Sequence, residues 1–309
     1  MLRREILLWN LLTHQHHPHI LPLIGVTDSQ FPYIKMVAPW QENGKLSDYV
    51  QQPGATRVNR LKLVSVLSSG VSHYLPCVQL AQVCSALQYL HNHVPIVIHA
   101  DLKCVSVGLA LGYFLDLIPH CQANVLVSQD GNPYLADFGL ATIRHNGATM
   151  TSTLEGGSTR WMAPELFMNA ETDTNDSEDD VSALKVTRHS DIWSFGMLVL
   201  ELLTDELPFP DKSLDAAVIC ALIKGERPKH PRSLQVIRNG LNNELWQYLA
   251  KCWDSSPEHR LPLHSLYDIL DQLAARWHPA SPDVQDQTPQ LIVSHHHYFN
   301  WIDELIATS

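Results

Sequence analysis

Residues 99–103 read HADLK, and this stretch decides the fold through the ordered set of motifs downstream of it. Asn124 comes next, then DFG at 137–139, APE at 163–165, DIWSFG at 191–196 and the PEHRLP run that holds Arg260. A three-residue motif arises by chance, but an ordered set of this length does not. Just upstream, residues 80–92 (LAQVCSALQYLHN) set Leu80, Val83, Cys84, Leu87 and Leu90 on one side of a helix. Downstream, 124–128 and 133–137 read as a hairpin around Asp130-Gly131.

Further out, residues 2–13 (LRREILLWNLLT) space Ile6, Trp9 and Leu12 as a helix does. Residues 20–28 and 31–38 read as two short strands parted by a turn. Asn43-Gly44 marks another turn, with a helix opening behind it and Ser47 as its cap. Helical spacing returns at 164–169, 190–204, 214–223, 243–253 and 264–276. Strands early and helices late give an α+β plan, not alternating βαβ units. No internal repeat is present.

Composition narrows the class. The 309 residues carry 21 Lys and Arg against 32 Asp and Glu, a net charge of −11, with 45% hydrophobic and 17% charged residues. That balance fits an ordinary globular chain and argues against nucleic acid as a partner, since phosphate binding needs clustered cations. No apolar run reaches the ~18 residues of a membrane span, and the longest, Val105 to Ile118, carries Asp116. The first 20 residues lack a signal-peptide plan, and six cysteines show no paired spacing, so a cytoplasmic chain, or a nuclear one, is expected. Residues 171–183 hold six acidic side chains and no basic one, and read as a solvated loop around Ser177. Histidines 14, 16, 17, 19 and 295–297 have no carboxylate or cysteine at ligand spacing, so no metal site is expected there.

The ordered set resembles the protein-kinase signature, and GGSTRWMAPE at 156–165 is similar to the tyrosine-kinase-like branch, whose members mostly phosphorylate Ser and Thr. The resemblance implies a two-lobed α+β fold with a mostly helical large lobe and a small lobe whose first three strands are missing. Residues 1–40 would be the small-lobe remnant, 41–276 the large lobe and 277–309 a tail. It implies ATP and Mg²⁺ as cofactors, and proteins as substrates. By the same resemblance Asp101 accepts the substrate hydroxyl proton and Lys103 sets its ammonium on the transferring phosphate. Asp137 and Asn124 would hold Mg²⁺. Ala38, aligned with the gatekeeper, joins Trp40 and Leu126 in taking the nucleotide, and Glu5 matches the glutamate of the family's αC helix. Glu165 and Arg260 would form a buried ion pair, and Asp191 would hold the catalytic-loop backbone. Ala100 replaces the usual arginine, so a phosphate on Thr151, Ser152 or Thr153 loses its bidentate partner.

Glu5 sets the start of the chain inside αC, so the Gly-rich loop and the lysine that pairs with that glutamate are expected to be missing, with a start codon placed too late. Lys35 cannot substitute, because strand alternation turns it away from the face of Ala38. In the family, the catalytic Asp and Asn stand five residues apart; here they are 23 apart. Without 105–122 the chain reads HADLKCANVLV, and without 64–79 it reads RVNRLKLLAQVCSALQYLH, one amphipathic helix. Both inserts begin Val-Ser, which GTAAGT can encode, and end in Gln, which CAG can encode. We read them as short introns translated in frame; family-specific loops are the plainer alternative. An apolar insert there is expected to displace Asn124 from Asp101, and the thin sheet to expose an edge. Two functions are compatible with this set: a Ser/Thr protein kinase impaired in this form, or a pseudokinase serving as a binding module. The retained Asp101, Lys103, Asn124 and Asp137 favour the first, while the missing lysine and Gly-rich loop favour the second.

Overall fold

Helix α1 (Leu2–His14) buries Leu8, Trp9 and Leu12, the stripe that the sequence spacing marked out. This computed structural model describes residues 2–30, 33–51, 79–104, 124–143, 158–168 and 186–276, all within one compact unit, Met1–Trp277. After α1, strands β1 (Gly25–Gln30) and β2 (Tyr33–Val37) pair antiparallel, with Val26 opposite Met36. The first strand is shorter than the expected 20–28. Residues 19–21 instead run beside a later strand, through Leu135 N–H to the His19 carbonyl and Leu21 N–H to the Leu135 carbonyl. Pro22 has no N–H to continue that ladder.

Helix α2 (Leu46–Gln51) starts one residue before the expected cap, so Ser47 lies inside its first turn and donates to Asp48 at 3.3 Å. Next along the chain come helix α3 (Gln79–Asn92), then β3 (Val97–Ile98), β4 (Val125–Val127), β5 (Pro133–Leu135) and β6 (Thr142–Ile143). Strand β4 pairs with β5 across the Gly131 turn (φ 79°), and β3 pairs with β6. The remaining helices are α4 (Glu165–Met168), α5 (Arg188–Thr204), α6 (Asp215–Ile223), α7 (Leu234–Arg238), α8 (Asn243–Cys252) and α9 (Leu263–Arg276). The α+β plan holds. The five-residue α7, opened by Ser233 accepting from Val236 N–H, is too short to show a helical period and has no signature in the sequence pattern. The insert 64–79 except its last residue, Gln79, which opens α3, the insert 105–122, the acidic loop 171–183 and the tail from Trp277 lie outside the described residues.

Helix α5 is buried from Ser190 through Leu203, which suits a segment apolar on every side. Thr187 and Ser190 cap its start reciprocally, at 2.9 and 3.2 Å. Trp193 in its first turns has two guanidinium groups over its ring, Arg227 at 4.9 Å and Arg260 at 5.0 Å from the ring centre. Arg260 also grips Glu165 through two bonds of 2.7 Å, the ion pair that the resemblance implied, with the guanidinium buried and the carboxylate half-buried. By contrast, the β1–β2 hairpin leaves Ile24, Val26, Ile34 and Val37 exposed, as a two-stranded sheet with little covering it must.

Candidate active site

Strand β3 delivers the chain into 99–104, a segment with no regular hydrogen bonding of its own, so side chains from elsewhere must hold its backbone. Asp191 in the first turn of α5 does most of this. Its carboxylate accepts from the N–H groups of His99 and Ala100, each at 2.9 Å, and pairs with the His91 ring at 2.8 Å. Ala100 sits in the left-handed region (φ 70°), a conformation costly for a residue with a Cβ and held here by those bonds. His99 is wholly buried; it packs on Phe138 with ring centres 5.7 Å apart and bonds the Ala136 carbonyl at 3.2 Å. At the far end, Cys104 N–H donates to Glu201 at 3.2 Å, and the same carboxylate oxygen accepts from the Trp161 indole at 2.9 Å.

Within this frame four polar side chains converge. Lys103 Nζ lies 3.0 Å from the Asp101 carboxylate and 2.8 Å from Ser158 Oγ, and Ser158 donates to Asp101 at 2.5 Å. Asn124 Nδ2 donates to Asp101 twice, to its carbonyl and to its carboxylate, the latter at 3.0 Å. The expected displacement of Asn124 is therefore wrong. Asn124 N–H bonds the Lys103 carbonyl at 3.2 Å, so the chain leaves at Cys104 and returns one hydrogen bond away, and an excursion with closed ends does not shift its base. The Asn124 backbone carbonyl accepts from Ala136 N–H at 2.9 Å, which brings β4 beside the DFG segment.

Asp137 is half-buried with φ 62°, and its Oδ1 accepts from Gly139 N–H at 3.3 Å. Glu5 of α1 reaches the same spot: a Cβ on Gly139 would lie 3.3 Å from both Glu5 Oε2 and Asp137 Oδ1. Burial, and then the Asp137 charge, push the Glu5 carboxyl above its ordinary pKa. Asn124 Oδ1 is buried with no hydrogen-bond partner, an orphaned acceptor of the kind that a divalent cation satisfies. Asn124 and Asp137 thus fit the metal role. Leu126 is half-buried on β4 and bridges to Lys45, and Ala38 packs half-buried against the core. The Trp40 indole stands 82% exposed and is not brought together with the others.

A family model for the protein tyrosine and serine/threonine kinases matches residues 4–110 and 120–270. The chain belongs to that protein kinase family. The break in the match falls inside the 105–122 insert, whereas the match runs through 64–79. Similar proteins include a putative serine/threonine-protein kinase/receptor, R818, of Acanthamoeba polyphaga mimivirus, 25% identical over 84% of this chain and 12% of that protein. The serine/threonine-protein kinase STY17 of Arabidopsis thaliana is 25% identical over 83% of this chain and 35% of its own length. Human mitogen-activated protein kinase kinase kinase 10 is 26% identical over 82% of this chain and 22% of its own. The chain therefore spans about a third of these relatives' length or less. Two residues of the site carry no motif of their own in the sequence. Ser158 lies within the GGSTRWMAPE stretch and becomes a hydroxyl beside the catalytic loop only once the segments meet. Glu201 gives one signal, a lone carboxylate in the apolar run LVLELL.

Proposed function

We propose that this kinase domain transfers the γ-phosphate of Mg-ATP to Ser or Thr hydroxyls of protein substrates, in the cytoplasm or nucleus. The observation that carries this reading is the buried convergence of Asp101, Lys103, Asn124 and Ser158. Asp101, oriented by Asn124 Nδ2, is the carboxylate available to take the substrate hydroxyl proton. Lys103, held beside it, sets an ammonium where charge develops on the moving phosphoryl group. Ser158 ties the segment leading to APE onto both, so a substrate hydroxyl resting there would be within reach of Asp101. The Asn124 and Asp137 oxygens would hold Mg²⁺, which supplies charge neutralisation for the phosphates. Ala38 and Leu126 would bound the adenine.

One observation favours the second reading, a pseudokinase that binds partners without turnover: among the described residues no lysine or arginine side chain pairs with Glu5, which faces Asp137 instead. Transfer of labelled phosphate from Mg-ATP to a mixed protein substrate separates the two. We expect transfer that Asp101→Asn abolishes. Nucleotide binding with no transfer, identical in the wild type and the variant, would replace the first reading with the second.

A further inference from the structure

The turn that joins α1 to the rest of the fold carries a group that the kinase chemistry does not use. His17 lies flat on Tyr89 of α3, with ring centres 4.9 Å apart and planes 22° from parallel. Both ring nitrogens are engaged. Nδ1 accepts the His19 backbone N–H at 3.2 Å, so it carries no proton; Nε2 therefore holds the proton and faces Ser85 Oγ of α3 at 3.3 Å. Tyr89 in turn reaches back to the end of α1, to the Leu12 carbonyl at 3.4 Å and to Gln15 at 3.3 Å. The His17–Tyr89 contact is thus a joint between α3 and the helix that bears Glu5.

Protonation at Nδ1 is incompatible with this arrangement, because a ring N–H cannot accept the His19 N–H. Beyond the face of the Tyr89 ring, which attracts a cation only weakly, the described surroundings supply no carboxylate to an imidazolium. His19 stands edge-on at 5.8 Å, with its own Nδ1 committed to the Pro133 carbonyl at 3.1 Å. From α3 the facing groups are Ser85 and Tyr89, with His93 beyond Tyr89 at 6.1 Å, its Nδ1 on the Pro95 carbonyl. We propose that the His17–Tyr89 joint is an acid-sensitive latch: uptake of a solvent proton at His17 Nδ1 releases residues 15–19 from α3 and frees α1, and with it Glu5, from the catalytic centre.

Burial first, and then the neighbouring His19, lower the His17 pKa from the ordinary 6.5 to about 4. Latched and released states therefore differ in proton affinity. Because the latched pKa is depressed, the released state gains as pH falls below about 6.5, and the gain levels off near about 4. Between pH 7.5 and 5.5 the opening equilibrium should rise about tenfold.

Hydrogen exchange of the full chain, followed by mass spectrometry and corrected for the intrinsic pH dependence of amide exchange, tests this. Peptides over residues 2–24 should open about tenfold more at pH 5.5 than at 7.5, while peptides from α5 do not change. His17→Phe, which keeps the stack but cannot titrate, should cut the pH dependence to the smaller part left by His19, whose own pKa burial also lowers. Equal opening at both pH values, or unchanged pH dependence in His17→Phe, would overturn the proposal. Should His17→Phe fold poorly, a carbon-labelled histidine titration of the wild type decides the matter. A His17 midpoint below 5 supports the latch, and one near 6.5 refutes it. None of these readouts depends on phosphoryl transfer, so the latch and the kinase reading fail separately.

Discussion

Excision of residues 105–122 tests the account of the catalytic loop most directly. The segment is 18 residues long, and both of its ends are fixed by bonds that survive its removal: Cys104 N–H to Glu201, and Asn124 N–H to the Lys103 carbonyl. Cutting the loop from about 20 residues to about two lowers its closure entropy by roughly (3/2)RT ln 10, or about 2 kcal/mol. The variant, reading HADLKCANVLV, should therefore be about 2 kcal/mol more stable than the parent. Urea denaturation of both chains measures this as a rise in midpoint at nearly constant slope. Mg-ATP should raise the melting temperature of both chains alike, since Asp101, Asn124 and Asp137 keep their places. A variant less stable than the parent would refute the reasoning, by showing that the segment packs against the domain and contributes more than its closure costs. Loss of the Mg-ATP shift on excision would refute it equally, by showing that the insert holds Asn124 in position.

Other perturbations act through single contacts. Gly196→Ala puts a Cβ 2.7 Å from Trp253 Nε1 and 3.0 Å from Cys252 Cβ, so it should cost about 1–3 kcal/mol of unfolding free energy in urea melts. Glu165→Ala leaves the Arg260 guanidinium buried without its partner and should cost about 3–5 kcal/mol, whereas an exposed change such as Lys229→Ala should fall within about 0.5 kcal/mol. Asp137→Asn should abolish the Mg²⁺ dependence of any ATP-induced thermal shift while leaving the melt without ligand nearly unchanged; a Mg²⁺-dependent shift that persists would remove Asp137 from the metal site.

Much of the fold is legible in the sequence because its elements carry their own period. The stripes of α1 and α3, the apolar run of α5 and the Asp130-Gly131 turn are local facts, and the structure keeps them within a residue or two. Elements with no room for a period, such as α7 and the two-residue strands β3 and β6, leave no such trace, and neither do effects set by a neighbour. Ser47 reads as a cap from local pattern alone because the helix start depends on Lys45 bridging to Leu126, a contact 81 residues distant in sequence. The largest error, the displaced Asn124, comes from treating sequence separation as spatial separation.

By itself the sequence determined the family and named the candidate groups, because HADLK, DFG, APE and DIWSFG are fixed strings whose order survives any insertion. Only the tertiary structure decided where those groups stand. Asn124 meets Asp101 because backbone bonds close the loop ends; Ser158 joins them because the segment leading to APE folds back onto Lys103. Glu5 faces Asp137 because the His17–Tyr89 joint and the packing of Trp9 and Leu12 fix α1. Covalent order sets which atoms exist near one another along the chain, but only packing and long-range hydrogen bonds set which of them touch.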